Sequence, residues 1–568
     1  MANVNVNGAN KYARDVVAGK IEACKYVRQA CQRHLDDLEA SKTKGFKWKF
    51  DKAQAERVCL FVQELPHTKG KWGRLKLRLK LEPWQQFIFC CVFGWVSKKT
   101  GLRRFTEVYC EIPRKNGKSV IAAGVALYML CADGEFGAEV YCGATTEKQA
   151  WEVFRPAQLM VQRTEELAED AGIEVRARSL YCPDDGSRLE PVIGDPGDGS
   201  SPNCALVDEY HEHDSDALYE TMLTGMGARE QPLMFTITTS GNNIAGPCYE
   251  KRRQVIAMLD QRPANDELFG IIYTLDEKDD WRDLGALKKA NPNFGISVNA
   301  DYLERQLANA TRYPSRQNAF KTKHCNLWVH AKNAWLNLLH WDRARVEGLV
   351  VEDYFGRRCY LGVDLASKCD VACVALVFRE KDAHGRDLWT FFVRHYLPEG
   401  AVQSDEGVNQ DAYERWVNEG RLLTTDGEEL DFDVIREDIR EIGTQHQVVE
   451  IAYDKWRATQ LSHQLQKDGA QVVEVGGGIQ TMNIAMREFE AALLSDRIRH
   501  DGDPVLAWMA GNVVAHEFKG CLMPTKESKA NKIDGMVAIL MAMNRSILAD
   551  GLPTSVLDTL EPDDLLVM

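Results

Sequence analysis

The alternation of apolar and polar positions changes character several times along the chain, and each change marks a predicted element. In residues 1–54, Tyr12, Val16, Val17, Ile21, Cys24 and Val27 recur at spacings of three and four, the period of an amphipathic helix, which predicts a helical arm for packing or docking. From 55 to about 245, short apolar runs alternate with helix-like stretches, the pattern of a parallel sheet flanked by helices. Strands are predicted at 105–112, 138–143, 204–208 and 233–239. From about 250 to 330 the chain is polar and helix-like, broken at Asn291-Pro292 and Tyr313-Pro314, and reads as a helical annex to a first domain over 55–330. A linker over 331–354 leads to a second domain, 355–548, which opens with two strands joined by a short polar turn. Within it, 400–435 is rich in Asp, Glu and Gly and reads as an insertion or loop, and 549–568 reads as a tail.

The segment Arg74-Leu-Lys-Leu-Arg-Leu-Lys80 alternates strictly, which predicts a strand with its four cations on one face. Those cations suit either a local DNA contact or the protection of an exposed sheet edge. Composition narrows the classes. At 568 residues the chain exceeds a single core, and its apolar fraction of 45%, with 13 Trp, 17 Tyr and 20 Phe, argues for folded domains. The formal charge of −14 argues against a general nucleic-acid coat, so any DNA contact must be local. Sixteen cysteines lack paired CxxC spacing, which suggests reduced thiols and an intracellular setting. No apolar run approaches the roughly 20 residues that span a bilayer.

The chemistry begins at Glu111-Ile-Pro-Arg-Lys-Asn-Gly-Lys-Ser119, between a strand-like and a helix-like stretch, where a phosphate-binding loop belongs. Gly117 lets the backbone approach an anion, Lys118 can reach the β and γ phosphates, and Ser119 can ligate magnesium. The usual pattern wants a glycine where this chain has Ile112, so a basic strand-to-helix turn is the competing reading. Such a loop needs an acidic partner at the end of a second buried strand. Cys204-Ala-Leu-Val-Asp-Glu209 supplies one, with Asp208 suited to the magnesium shell and Glu209 to polarising water. A further strand ends in Thr238, Thr239 and Ser240, suited to sensing a γ-phosphate. His211-Glu-His-Asp214 follows the acidic pair too directly to be read as a separate zinc site.

The second domain carries Asp364 at the end of its first strand, Asp454 at the end of a later one and Asp534 at the start of a helix-like segment. Carboxylate ligands suit magnesium or manganese, and three converging at one end of a sheet can hold two ions for phosphodiester hydrolysis. Asp370 can assist as an outer ligand. Lys526, Lys529 and Lys532 precede Asp534 and suit either a DNA backbone or a solvated surface.

Taken in order, these motifs resemble the large terminase subunit of tailed double-stranded DNA bacteriophages. Pro83-Trp84-Gln85 resembles the adenine-reading Q motif of that family, and the stretch from Arg114 through Lys115, Asn116, Gly117 and Lys118 to Ser119 resembles its deviant phosphate loop. Ala144-Thr145-Thr146, Asp208-Glu209, Thr238-Thr-Ser-Gly241 and Asn531-Lys-Ile-Asp-Gly535 continue the series over nearly the whole chain. The resemblance implies an α/β fold, with an additional-strand P-loop ATPase domain followed by a ribonuclease H-like nuclease domain. It implies ATP and Mg2+ as cofactors, with Mn2+ possible in the nuclease. Arg114 would act within its own subunit, and Arg229, with Arg188 as alternative, would reach a neighbour's γ-phosphate. Expected partners are double-stranded DNA, the portal protein, the small terminase subunit and further copies in a ring on the procapsid, with no membrane. The expected location is the host cytoplasm, transiently at the procapsid and not in the mature virion. An ATP-dependent helicase or restriction-type translocase with a nuclease domain, and a noncatalytic scaffold, are the rival readings.

Overall fold

The four apolar runs predicted as strands at 105–112, 138–143, 204–208 and 233–239 become strands of one sheet. This computed structural model describes residues 3–549 apart from 194–198, 261–264, 314–315, 330–334, 337, 366–370, 404–408, 476–478, 519 and 528–529. Asp370, Lys529 and the tail from 550 fall outside these residues. The chain divides into two units between Val329 and His330.

In the first unit an eight-stranded sheet runs in the order Leu268–Ile272, Glu107–Glu111, Leu233–Thr238, Cys204–Asp208, Glu139–Ala144, Arg188–Ile193, Leu180–Tyr181, Glu174–Val175. The first six are parallel and the last two antiparallel. Every residue of Cys204–Asp208 and Leu233–Thr238 is buried, as expected of central parallel strands covered on both faces. Leu233–Thr238 is inserted between the loop-bearing strand and the acidic strand, the arrangement of an additional-strand ATPase.

Two expectations are corrected here, and one that left two alternatives is narrowed. The annex is not wholly helical: its apolar run Leu268–Ile272 joins the sheet beside Glu107–Glu111. The amino-terminal helix Val4–Val17 is a packing arm rather than a docking one: it buries Val6, Ala9, Ala13 and Val16 against Pro83–Gly94, and Asn5 and Val6 donate backbone hydrogen bonds to Glu56. The basic segment 74–80 is not a strand. Gly70–Arg74 is a short helix, Lys76 turns at a φ of +52°, and Arg78 makes an isolated bridge to Pro66. The left-handed turn breaks the alternation, leaving Leu75 and Leu77 exposed while Leu79 is buried.

The second unit is built on a mixed sheet, ordered Leu423–Thr425, Asp387–Pro398, Ala372–Lys381, Arg358–Asp364, Gln447–Tyr453, Val472–Glu474. Arg358–Asp364, Ala372–Lys381 and Asp387–Pro398 form an antiparallel meander, and Gln447–Tyr453 joins Arg358–Asp364 in parallel, as in a ribonuclease H-like fold. The helix Asp534–Ala549 packs across the central strands. The expected linker is largely absorbed into this unit. Trp341 is 1% exposed and stacks on His500 with ring centroids 4.2 Å apart. The expected loop at 400–435 contains the helix Gln410–Asn418, held because Trp416 packs on Trp508 at 5.1 Å.

Candidate functional site

The strand Glu107–Glu111 ends at a loop whose last residue, Gly117, has a φ of +87° and caps the helix Lys118–Cys131. Only a residue without Cβ takes that conformation readily, and it turns the free N–H groups of the helix start toward a cleft of about 890 Å³. Ile112, standing where a glycine was wanted, buries its side chain and offers its carbonyl to Lys118 Nζ at 3.1 Å. The same ammonium lies 3.6 Å from Glu209 Oε1. Burial pulls the Lys118 ammonium below its ordinary pKa, with Glu209 and Asp208 opposing. Arg114, Gly117, Lys118 and Ser119 line the cleft with Asp208 and Glu209.

Glu209 sits in a left-handed conformation, φ +49°, just beyond the acidic strand. Its backbone N–H donates to Asp208 Oδ1 at 2.9 Å and to the Ile237 carbonyl at 3.0 Å. Burial and the charge of Glu209 push the Asp208 carboxyl well above its ordinary value against the pull of Lys118. Burial also acts to raise Glu209, but Lys118, His211 and Arg114 overcome it and hold that carboxyl below its ordinary value. Two carboxylates therefore face one buried ammonium, and the hard oxygens of Asp208 and Ser119 fit a magnesium ion as the missing positive charge.

Thr238, Thr239 and Ser240 are buried and do not line the cleft, a correction to their expected place at the nucleotide; Thr238 and Thr239 adjoin the cleft through His211 and Glu209. Thr238 Oγ1 lies 3.0 Å from His211 Nδ1, and Thr239 Oγ1 donates to Glu209 Oε2 at 3.4 Å. Ser240 turns the other way, its backbone N–H donating to Asn326 Oδ1 at 2.8 Å. His211 lines the cleft and was missed as a site residue, although its place two residues after Glu209 was visible.

Trp84 is also corrected. It is 2% exposed and donates its indole N–H to Asn293 Oδ1 at 2.8 Å, supporting the loop from behind. Gln85 does line the cleft, and a Cβ on Gly117 would come within 3.4 Å of its Nε2. Asn116 likewise points away from the cleft. It donates to Asn291 Oδ1 at 3.0 Å and accepts from the Asn293 N–H at 3.0 Å, while Ser297 donates to the Lys115 carbonyl at 2.6 Å. The annex thus braces the loop, which the Asn291-Pro292 break alone did not reveal. An apolar wall of Trp72, Leu77, Leu79 and Ile296 completes the cleft.

Arg229 does not project from a mobile loop. Its guanidinium pairs with Glu135 at 3.0 Å and Glu139 at 3.7 Å and donates to the Ser201 carbonyl at 2.7 Å. Arg188 pairs with the same Glu139 at 3.1 Å. Glu139 and Arg188 begin their parallel strands, so both arginines lie at the amino-terminal end of the sheet, whereas the cleft borders the carboxyl-terminal end at Asp208.

In the second unit the parallel register aligns Val363 with Tyr453. Asp364 and Asp454, next along each chain, therefore end adjacent strands, roughly 5 Å apart at the backbone. Asp534 opens the helix that lies on Gly362, where an added Cβ would meet the Ala538 carbonyl at 1.9 Å. The fold brings all three to elements in contact, yet among the described residues no three His, Cys, Asp or Glu side chains close to metal-ligand spacing. No helix among the described residues is long and apolar enough to cross a membrane.

Two family models match the chain: terminase large subunit, ATPase domain, over residues 83–256, and terminase large subunit, endonuclease domain, over residues 263–550. Protein YmfN of Escherichia coli (strain K12) is 45% identical over 360 residues, which cover 62% of this chain and 79% of that protein. The terminase large subunit of Enterobacteria phage HK97 is 26% identical over 508 residues, 86% of this chain and 95% of its own. The crystal structure of the HK97 bacteriophage large terminase aligns at 24% identity with a TM-score of 0.47, covering 87% of this chain and 99% of that one. The endonuclease match alone takes in just over half of the chain, and the chain belongs to the terminase large subunit family, an ATPase followed by an endonuclease for phage DNA packaging and cutting.

Proposed function

We propose that the first unit hydrolyses ATP in the cleft around Lys118 to drive double-stranded DNA into a procapsid, and that the second cuts concatemeric genome at Asp364, Asp454 and Asp534. The observation that supports this most is the buried pairing of Lys118 with Glu209 beside Asp208 at the floor of the cleft. Gly117, Lys118 and the helix N-terminus cradle the phosphates, with Arg114 and Lys115 exposed at the loop. Gln85 and the apolar wall take the base. Magnesium held by Asp208 and Ser119 would neutralise charge on the phosphate oxygens. Glu209, kept ionised by its cationic neighbours, accepts the proton of the water that attacks the γ-phosphorus as the bond to the ADP oxygen breaks.

In the second unit, Asp364 and Asp454 on adjacent strands and Asp534 at a helix start are all-oxygen donors suited to magnesium or manganese. Such ions would activate water and stabilise the leaving oxygen of a phosphodiester. Portal protein, small terminase subunit and a ring of copies on the procapsid in the host cytoplasm complete this reading.

Lys118→Ala and Asp364→Asn in the full chain test it. The first should abolish ATP hydrolysis, and the second should abolish DNA cleavage while sparing ATPase. Loss of both activities in both folded variants would refute two separate centres.

A further inference from the structure

The acidic strand is followed by a single 3-10 turn, Tyr210–Glu212, whose middle residue stands between the two halves of the hydrolytic centre. His211 Nδ1 lies 3.2 Å from Glu209 Oε2 on one side and 3.0 Å from Thr238 Oγ1 on the other. The backbone N–H of His211 also donates to Thr238 Oγ1 at 3.1 Å. Nε2 lies 3.3 Å from Glu212 Oε1 and 3.3 Å from Thr239 Oγ1. The ring is packed closely from above, since a Cβ on Gly241 would meet His211 Cβ at 3.0 Å and Trp328 at 3.1 Å. Its side chain is only 6% exposed, yet it borders the cleft.

This placement matters because of the backbone of Glu209. Glu209 leaves the strand at a φ of +49°, and the groups that meet its carboxylate come from other parts of the chain. Lys118 faces Oε1, while His211 at 3.2 Å and, more distantly, Thr239 Oγ1 at 3.4 Å face Oε2, so each oxygen of the carboxylate is held from a different side. We propose that His211 is a positioning residue for ATP hydrolysis, holding the second oxygen of Glu209 and tying its direction to Thr238 at the end of the inserted strand. The inference rests on Glu209 as the proton acceptor. A carboxylate free to rotate about its last torsion would meet the attacking water in the wrong orientation while leaving the phosphate cradle untouched, so the effect falls on kcat rather than on nucleotide affinity.

The test uses the full chain, steady-state ATP hydrolysis and the binding of a fluorescent mant-ATP probe. His211→Ala should lower kcat on the order of tenfold or more, with the mant-ATP Kd changed by less than about twofold. His211→Asn places an amide nitrogen near the position of Nδ1 and should recover much of the loss, whereas His211→Gln, which reaches toward Nε2, should not. Wild-type kcat in folded His211→Ala, or equal behaviour of the Asn and Gln variants, overturns the proposal. Should the alanine variant fail to fold, the Asn and Gln comparison decides alone. Glu209→Gln separates the two readings. If that variant still hydrolyses ATP, the assignment of Glu209 fails; if it is inactive while His211→Ala is unimpaired, only the role of His211 falls.

Discussion

Asn293 grips Asn116 at two points: its backbone N–H donates to Asn116 Oδ1 at 3.0 Å and its Nδ2 donates to the Asn116 carbonyl at 3.3 Å. The same side chain accepts from the Trp84 indole at 2.8 Å. One annex residue therefore fixes the loop that precedes Lys118. Asn293→Ala leaves the buried Trp84 N–H and the Asn116 carbonyl without these partners, at a cost of about 2 kcal/mol. It should raise the KM for ATP and lower the melting temperature of the first unit. Asn293→Asp keeps an acceptor for Trp84 but loses the donor to Asn116, and should weaken nucleotide binding with less loss of stability. Unchanged ATP binding in both variants would show that the annex does not shape the loop.

Stability of the first unit should fall in acid through its buried histidines. His34 accepts from the Trp95 indole at 3.1 Å on Nδ1 and faces Asn10 Oδ1 at 2.8 Å with Nε2, which suits the neutral ring. Burial, followed by the charge of Arg104, pulls it down to about 3; burial likewise pulls His213 and His324 down to about 4. The unfolded chain takes up these protons first, so the stabilisation is complete above the ordinary histidine value of about 6.5 and is lost as pH falls toward 3. At pH 5, His34 alone should contribute a loss of about 2 kcal/mol. Calorimetric melts between pH 7.5 and 5 should show the decline, and His34→Gln should flatten it. A slope unchanged by that substitution would remove His34 from the account.

The parts of this molecule legible in its sequence are those where chemistry and periodicity demand the same residue. Cys204–Asp208 and Leu233–Thr238 read as strands because central parallel strands are buried on both faces, and Lys118, Asp208 and Glu209 stand at the strand and helix termini where phosphate chemistry needs them. The bracing residues were hidden because Asn291 lies 175 positions from the Asn116 it accepts from, a separation no local pattern encodes. The resemblance of Pro83-Trp84-Gln85 to an adenine-reading motif places both side chains at the nucleotide, but in the first turn of the helix Pro83–Gly94 only Gln85 faces the cleft. The alternation at 74–80 misled because a single left-handed residue, Lys76, resets which side each leucine faces.

Arg229 should behave as a structural residue. With its side chain 13% exposed and engaged by Glu135, Glu139 and the Ser201 carbonyl, it has no guanidinium group left to offer a neighbouring subunit in this conformation. Arg229→Ala leaves Glu135 without its cation and Glu139 with Arg188 alone, and should destabilise the first unit by about 3 kcal/mol. The ATPase kcat of the folded variant should stay near wild type. A tenfold fall in kcat without a fall in melting temperature would restore the role in trans that the glycine-flanked sequence suggested.

The proposed nuclease centre sits beside a contact that admits no side chain. Gly362 lies two residues before Asp364, and a Cβ there would come within 1.9 Å of the Ala538 carbonyl oxygen and 2.7 Å of its carbon. Those atoms belong to the backbone of the helix Asp534–Ala549, so no rotamer change relieves the overlap and the helix itself must move. Because Asp534 opens that helix one turn before Ala538, moving it shifts one carboxylate relative to Asp364 and Asp454, which stay on the sheet. Gly362→Ala should therefore abolish metal-dependent cleavage and destabilise the second unit by about 2 kcal/mol or more, as overpacking does. Lys118 and the cleft around it lie in the other unit, so ATP hydrolysis should persist. Adding Ala538→Gly removes a methyl group but leaves the clashing carbonyl, so it should not rescue cleavage. Normal cutting by Gly362→Ala would mean that the helix tolerates displacement and that Asp534 is not held in place by its packing on the strand.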